Sequence, residues 1–330
     1  MNNMEIIKSN ITHNLKMEKY FPEKNVCFVD IETTGLNRNK EIIYLIGLLF
    51  FNRSSDSWVL NQYFANSIEM EKDILGAFNS EINNFDVVIT YNGGSFDLPF
   101  IRYRLKRYDI EGIYLDDITS FDLYKIMRSN NMFLNLPNLK LKTLEQFLGI
   151  EREDKLSGFE CIELYYDYME SNNSVLRENI LKHNYDDLVN MLDTMNILDI
   201  LDRKKSFYTE FKNIHRKISI DSVKTVGDSI VINGQIQPKM KSNLKYYRDN
   251  YSLNTESHGE FFLSLYYKIG FVEKDLKGLY IDKREFEELP LVNNNSPYKL
   301  LPNIILLKVG NLYYIENIKS LVEEIFKSID

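Results

Sequence analysis

Val26-Cys27-Phe28-Val29-Asp30-Ile31-Glu32-Thr33-Thr34-Gly35-Leu36 is the stretch around which the chain is organised. Its apolar start, Val26 to Val29, predicts a buried central strand, yet the run leads straight into two carboxylates, Asp30 and Glu32. Side chains two apart on a strand share a face, with Cα atoms roughly 6.5–7 Å apart. Like charges at the end of a core strand repel and are poorly solvated, so they persist only with a compensating partner. A divalent cation is the simplest partner. An isolated Asp-x-Glu also fits a strand that ends at the surface with two solvated acids, and the rest of the chain decides between the two.

At 330 residues there is room for two domains, or for one large domain with an appendage. A composition of 44% hydrophobic and 27% charged residues suffices for a sizeable core. The net charge of −8 argues against a chain coated for non-specific nucleic-acid binding, while leaving room for a local basic groove. Cys27 and Cys161 are far apart and lack metal-type spacing, which points to a reduced cytoplasmic setting. The start, Met1 to Asn14, is polar and has no apolar signal core. The longest apolar run, Ile42 to Phe51, is too short to span a bilayer, so a soluble protein with no membrane partner is expected.

Residues 1–24 read as a lead-in. After Glu32, Thr33-Thr34-Gly35 predicts a turn with Gly35 free to take positive φ. Ile42 to Phe51 and Trp58 to Ala65 predict two further strands of an antiparallel meander. Apolar spacing then predicts a helix over 69–82, a buried strand over 86–91, a helix from Phe96 to Tyr108 and a strand from Ile118 to Leu123. Helices follow over 141–148, 159–170 and 174–201. Three antiparallel strands followed by alternating strands and helices imply an α/β fold, a mixed sheet flanked by helices, over 25–203. From 204 to 330 the texture changes to a smaller β-rich accessory domain. Strands are expected at 229–235, 261–271, 278–281 and 303–315, with a turn at Gly310-Asn311 and a closing helix from Ile318 to Ile329.

Two more acids join the first pair. Thr90-Tyr91-Asn92-Gly93-Gly94-Ser95-Phe96-Asp97 puts Asp97 just after a buried strand and a glycine turn, in the first turn of a helix. There an acid interacts well with the helix dipole, and strand ends of α/β sheets are also where ligands bind. His183-Asn184-Tyr185-Asp186-Asp187 lies in the last long helix, where His183 and Asp187, four apart, share a face. Asp186 aligns with the polar Asn179, Lys182, Asn190 and Asp193. Asp187 aligns with Ile180, His183, Asn184 and Met191 at the edge of the buried face, and is the better ligand candidate. Two divalent ions about 4 Å apart could share Asp30, Glu32, Asp97 and Asp187 and clamp the attacking and leaving oxygens of a phosphodiester. Ligation by oxygen alone favours Mg²⁺ or Mn²⁺.

This pattern resembles the DEDD 3′→5′ exonucleases, the DnaQ-like branch of the RNase H-like superfamily. Asp30 to Leu36 looks like their first motif, Tyr91 to Asp97 the second and His183 to Asp187 the third. Within that group the chain resembles the YprB-like bacterial proteins, whose common helix is similar to Leu139 to Gly149. The likeness covers roughly residues 24–201. It implies that Asp30, Glu32 and Asp187 bind two metal ions, Mg²⁺ or Mn²⁺, that Asp97 completes the cluster directly or through water, and that His183 orients or deprotonates the attacking water. A histidine suits that role because its pKa lies near neutrality. It further implies that Thr33, Thr34 and Gly35 meet the 3′-terminal nucleotide, with Asn92 and Phe96 also on the substrate side. One departure concerns the histidine branch, which usually spaces His and Asp by five. Here the spacing is four, as in the tyrosine branch.

Residues 204–249 hold ten Lys or Arg against four Asp or Glu, a local +6. Lys239, Lys241, Lys245, Tyr246, Tyr247 and Arg248 mix cations with aromatics, as a single-strand-binding surface does, and Lys241 and Lys245 are the expected nucleic-acid contacts. A solvated charged face is the plainer account of the same residues. The reading that results is a metal-dependent nuclease acting on the 3′ end of DNA or RNA. Its rivals are a catalytically idle nucleic-acid-binding or scaffold protein with the same fold, and an RNase H-like endonuclease.

Overall fold

A computed structural model describes residues 4–110, 112, 114–152, 156–286, 289 and 292–329. They group into two compact units, residues 1–129 with 136–196, and residues 130–135 with 197–330.

The first unit is built on a six-stranded sheet. Its strands are β1 (Glu5–Ile11), β2 (Val26–Thr33), β3 (Ile43–Asn52), β4 (Ser57–Phe64), β5 (Val87–Thr90) and β6 (Thr119–Asp122), in the spatial order β1-β4-β3-β2-β5-β6. β2 pairs antiparallel with β3 and parallel with β5, and β5 pairs parallel with β6. The expected mixed sheet is therefore present. β2 lies near the middle with neighbours on both sides, and its near-continuous apolar run is what a strand covered on both faces requires. The stretch expected as a lead-in contributes β1, which pairs with β4 along its length from Glu5↔Phe64 to Ile11↔Trp58. Its exposed side chains are mostly polar (Glu5, Lys8 and Asn10, beside Ile6), as suits an edge strand, and that polarity hid it from hydrophobic patterning.

Helices cover both faces. They are α1 (Glu71–Ile82), α2 (Asp97–Arg107), α3 (Leu123–Leu134), α4 (Leu141–Leu148), α5 (Gly158–Ser171) and α6 (Ser174–Thr194). α1 packs on the face carrying Tyr63, whose ring meets Phe78 edge-on at 6.2 Å. α2 is tied to α1 by the buried pair Arg104–Glu71, and Glu71 Oε1 also accepts from the Ile43 N–H at 2.8 Å. α6 lies against the other face at Gly47, where an added Cβ would sit 2.2 Å from Leu188 Cδ1 and 2.4 Å from Asn184 Oδ1. Gly47 is the direct cross-strand partner of Asp30, so the missing side chain is what lets α6 approach the carboxylate.

Two helix readings change. α3 was not expected, because β6 runs into it without a separating loop; the Asp122 carboxylate accepts from the Tyr124 N–H at 3.0 Å and caps it. The helix expected over 174–201 ends at Thr194 and is followed by α7 (Ile197–Lys205). At the break the Thr194 hydroxyl donates to the Met191 carbonyl at 2.8 Å, competing with the helical ladder. Among the described residues no helix is long and apolar enough to cross a membrane.

The second unit holds two antiparallel sheets. The first contains β7 (Ser206–Phe211), β8 (Ile214–Val226), β9 (Ser229–Gln237), β10 (Leu244–Tyr247), β11 (Tyr251–Thr255) and β12 (Glu260–Tyr266), ordered β10-β11-β12-β9-β8-β7. The second contains β13 (Lys268–Glu273), β14 (Leu276–Asp282), β15 (Ile304–Val309) and β16 (Leu312–Tyr313). The strand expected over 261–271 is thus two strands in different sheets. α8 (Ile315–Ser328) buries Ile318, Leu321, Val322, Ile325 and Phe326, and Phe326 meets Phe211 and Phe261 edge-on at 4.9 and 5.2 Å. Gly310 takes φ +55 in the expected hairpin turn between β15 and β16.

Candidate active site

Asp30 and Glu32 leave the same face of β2, Asp97 opens α2, and Asp187 projects from the fourth turn of α6. The structure brings these four together electrostatically. Burial pushes the Asp30 carboxyl well above the usual carboxylate range, and the charges of Asp187, Asp97 and Glu32 push it further in the same direction. Burial likewise pushes Asp97 up to about 7, opposed by the N–H groups of Asp97 itself and of Ile31, and reinforced by Asp122 and Asp187. Concentrating acid charge in a poorly hydrated place is costly unless a cation is supplied.

Neutral groups fix the acids in place. The Ile31 N–H donates to Asp97 Oδ1 at 3.2 Å, tying the start of α2 to β2. Asn184 Nδ2 donates to Asp30 Oδ2 at 2.9 Å, while its own Oδ1 accepts from Gln62 Nε2 at 3.0 Å. Gln62 Nε2 in turn donates to the Leu181 carbonyl at 2.8 Å, so a polar relay runs from β4 through α6 to Asp30. His183 is buried, with Nε2 3.6 Å from Glu32 Oε1 and 3.9 Å from Asp187 Oδ2.

A cation already reaches the cluster. The Arg152 guanidinium is paired with Asp187 Oδ1 and lies 3.3 Å from Oε1 of Glu145, a carboxylate that is 1% exposed. Asn190 Nδ2 donates to the same Glu145 oxygen at 3.1 Å, joining α4 to α6. Among the described residues no three His, Cys, Asp or Glu side chains are grouped so that they could hold a metal ion as they stand. The donors nevertheless suit a hard divalent ion in kind. They are carboxylate oxygens in charge excess, and one of them is held by a side chain that would have to yield it.

The groups expected to meet substrate are placed as follows. Thr33 Oγ1 donates to the Gly35 carbonyl at 2.8 Å, and Thr34 Oγ1 donates to Glu41 Oε2 at 2.9 Å, so both hydroxyls shape the loop after β2. Gly35 does not use a positive φ, contrary to expectation. It supplies room instead, because a Cβ there would lie 3.0 Å from Glu41 Cγ. Asn92 does take a left-handed φ of 65 and gives its N–H to Asp122 Oδ1 at 2.9 Å. Phe96 immediately precedes α2 and, with Leu36 and Arg38, lines a shallow depression of about 380 Å³. Lys241 and Lys245 belong to the second unit and are exposed.

Residue patterns alone did not expose Asn184, Gln62, Asp122 or Arg152 as parts of this site. Asn184 had a usable signal, since an amide beside His183 on a buried helical face needs a polar partner. Asp122, which also accepts from the Gly94 N–H at 3.1 Å, and Arg152 had none.

The description "RNase H superfamily" applies to the family model matched by residues 27–199, more than half of the chain. The chain is 27% identical over 222 residues to a DNA polymerase of Orgyia pseudotsugata multicapsid polyhedrosis virus, covering 53% of this chain and 22% of that one. It is 26% identical over 188 residues to the uncharacterized protein YprB of Bacillus subtilis, covering 56% of this chain and 44% of YprB. It therefore spans less than half the length of either relative. Solved structures similar to it include the family B DNA polymerase of Pyrobaculum calidifontis, with 18% identity, a TM-score of 0.39, and 55% of this chain and 25% of that chain covered. Another is an E. coli exonuclease I complex with single-stranded DNA, with 14% identity, a TM-score of 0.30, and 63% and 54% covered. The matched segment opens one residue into β2 and runs past the end of α6, enclosing all four acids and His183, and by that match the chain belongs to the RNase H superfamily.

Proposed function

We propose that this chain is a metal-dependent nuclease of the DEDD type, which releases nucleotides from the 3′ end of DNA or RNA by attack of water on the terminal phosphodiester. The observation that carries the reading is that the buried Asp30 carboxyl on β2 feels the charges of Asp187, Asp97 and Glu32, acids drawn from the same strand and from two helices. A protein that merely bound nucleic acid would gain nothing from crowding carboxylates against phosphates. Membership of the RNase H superfamily supports phosphodiester hydrolysis as the reaction class.

Asp30, Glu32, Asp97 and Asp187 would hold two Mg²⁺ or Mn²⁺ ions, and bound ions of that kind neutralise charge on the attacking and leaving oxygens. The chain's own residues do the rest. Asn184 and the Ile31 N–H orient Asp30 and Asp97. His183 Nε2, 3.6 Å from Glu32 Oε1 and 3.9 Å from Asp187 Oδ2, would take the proton of the attacking water. As oxygen attacks phosphorus the bond to the 3′ oxygen of the preceding nucleotide breaks, and that oxygen takes a proton from solvent. Arg152 must release Asp187 before the acids can act together.

The test is incubation of 5′-labelled DNA and RNA oligonucleotides with Mn²⁺, comparing the wild type with Asp30→Ala. The expected result is a ladder of shortening products that is lost in the variant. Internal cuts in place of a ladder would replace 3′-end action with endonuclease action. Absence of metal-dependent cleavage on every substrate would overturn the reading in favour of an idle binding protein.

A further inference from the structure

The six-stranded sheet of the second unit has one face packed by α8 and one face left open. Strand register defines the open face residue by residue. One cross-strand row runs Lys245, Asn254, Phe262, Asn233 from β10 to β9, and the adjacent row runs from Tyr247 on β10 to Lys224 on β8 with short side chains between. Tyr266 lies beyond them on β12. The neighbours of Phe262 in sequence, Phe261 and Leu263, are fully buried on the opposite face. On the open face Tyr247 is 67% exposed, Tyr266 52% and Phe262 39%, a large aromatic presence for a surface.

We propose that this open face is a platform for single-stranded nucleic acid, whose bases stack on Tyr247, Phe262 and Tyr266 while its phosphates meet Lys245 and Lys224. The proposal rests on the nuclease reading and narrows it to a single-stranded substrate. Each aromatic ring offers a flat face to a base, a contact open only to unpaired bases. Phe262 and Tyr266 are four residues apart, about 13 Å along the strand, and β10 lies two strands from β12, about 10 Å away. The three rings are thus separated stacking points rather than one apolar patch. Lysines end the two rows on opposite sides, so a strand crossing the sheet passes between cations. The carboxylate that β12 presents on this face, Glu260, lies 3.0 Å from His258 Nε2.

Charge favours nucleic acid over an apolar protein surface. Lys245 and Lys224, both exposed, flank the rings and suit the phosphates of a bound strand, whereas an apolar helix or strand would cover the lysines without pairing them.

The experiment is fluorescence anisotropy of the full chain with labelled dT20, rU20 and a DNA duplex of matched length, all in EDTA so that nothing is cut. Loss of one stacking ring is expected to weaken single-strand binding about 5- to 150-fold in Phe262→Ala and in Tyr247→Ala. Phe262→Trp should bind like the wild type, which controls for folding, and Lys245→Glu should flatten the salt dependence. Binding within twofold of wild type in both alanine variants would overturn the platform, as would an equal loss on duplex and single strand. An active nuclease with Phe262-independent binding overturns the platform alone. A chain that binds through Phe262 but cuts nothing overturns the nuclease reading alone.

Discussion

Asp97→Asn should stabilise the metal-free protein at pH 8 while abolishing cleavage. Asp97 is 6% exposed, and burial, aided by Asp122 and Asp187, pushes its carboxyl up to about 7. In an unfolded chain the same group ionises near 3.9. Below pH 4 it is neutral in both states and contributes no pH dependence. Between pH 4 and 7 the unfolded chain has lost the proton that the folded chain still holds, so stability falls as pH rises, and the loss is complete above pH 7. At 1.36 kcal/mol per pH unit this amounts to about 4 kcal/mol. Asparagine keeps the oxygen that accepts from the Ile31 N–H and cannot ionise. In EDTA the variant should therefore exceed the wild type by up to about 4 kcal/mol at pH 8, with the gap closing near pH 4. Urea unfolding followed by tryptophan fluorescence reads this directly, because Trp58 is the chain's single tryptophan, fully buried and in the first unit. Adding Mn²⁺ at pH 8 should restore stability to the wild type more than to the variant, since a ligand of the folded state stabilises by mass action. A variant less stable than wild type at pH 8, or a gap that does not move between pH 4 and 8, would refute the account of the site as a strained acid cluster.

Three further outcomes follow from the same geometry. Gly47→Ala drives a methyl into Leu188 and Asn184, so it should cost about 1–3 kcal/mol in the same unfolding assay and reduce cleavage by displacing the Asn184–Asp30 bond. His183→Ala should lower the cleavage rate about 10²- to 10⁴-fold and remove the limb of the pH–rate profile that a base contributes; a loss below about tenfold would sink the general-base role. His183→Tyr tests the four-residue spacing, and retained activity there would reassign the residue from base to water-orienting group. Arg152→Gln releases Asp187, and since a hydrogen bond to a charged group is worth about 1.5–3 kcal/mol, Mn²⁺ should bind at least about tenfold more tightly by electron paramagnetic resonance titration. Unchanged Mn²⁺ affinity would show that Arg152 does not compete for that carboxylate.

Much of the first unit could be read from the chain because its strands are buried on both faces and its helices are amphipathic. Ile43–Asn52, Ser57–Phe64 and Val87–Thr90 lie within a residue or two of where apolar runs placed them. What escaped lacked that contrast. Glu5–Ile11 is an edge strand with a mostly polar surface, and Leu123–Leu134 is welded to a strand with no breaker between. In the second unit β7, β8 and β10 went unread because the basic residues of 204–249 dominated the pattern, and the five-residue β11 just beyond them went unread too. Those residues are not one surface. Arg216 is buried and donates to the Phe211 carbonyl at 3.2 Å, and Lys217 reaches Asp202 at 2.6 Å, while Lys241 and Lys245 face solvent.

The candidate site divides along the same physical line. An acid in a core strand or on the buried edge of a helix is an anomaly, and anomalies are visible in one dimension. Asp30, Glu32 and Asp187 announced themselves because each contradicts its surroundings, whereas Asp97 suits a helix start and stood out by its place after a buried strand and a glycine turn. The groups that hold them are ordinary where they stand in sequence. Gly47 is one glycine in a strand until its pairing opposite Asp30 and its contact with α6 give it a purpose. Asn184 becomes necessary only once Gln62 and Asp30 lie on either side of it. Arg152 sits in a loop 35 residues from Asp187, and nothing in periodicity could pair them. Its position changes how the acids are to be understood. A cluster already shared with a guanidinium is not waiting passively for metal. On the proposed reading it would exchange one cation for another, with the affinity for the second set in part by how firmly Glu145 and Asp187 hold the first.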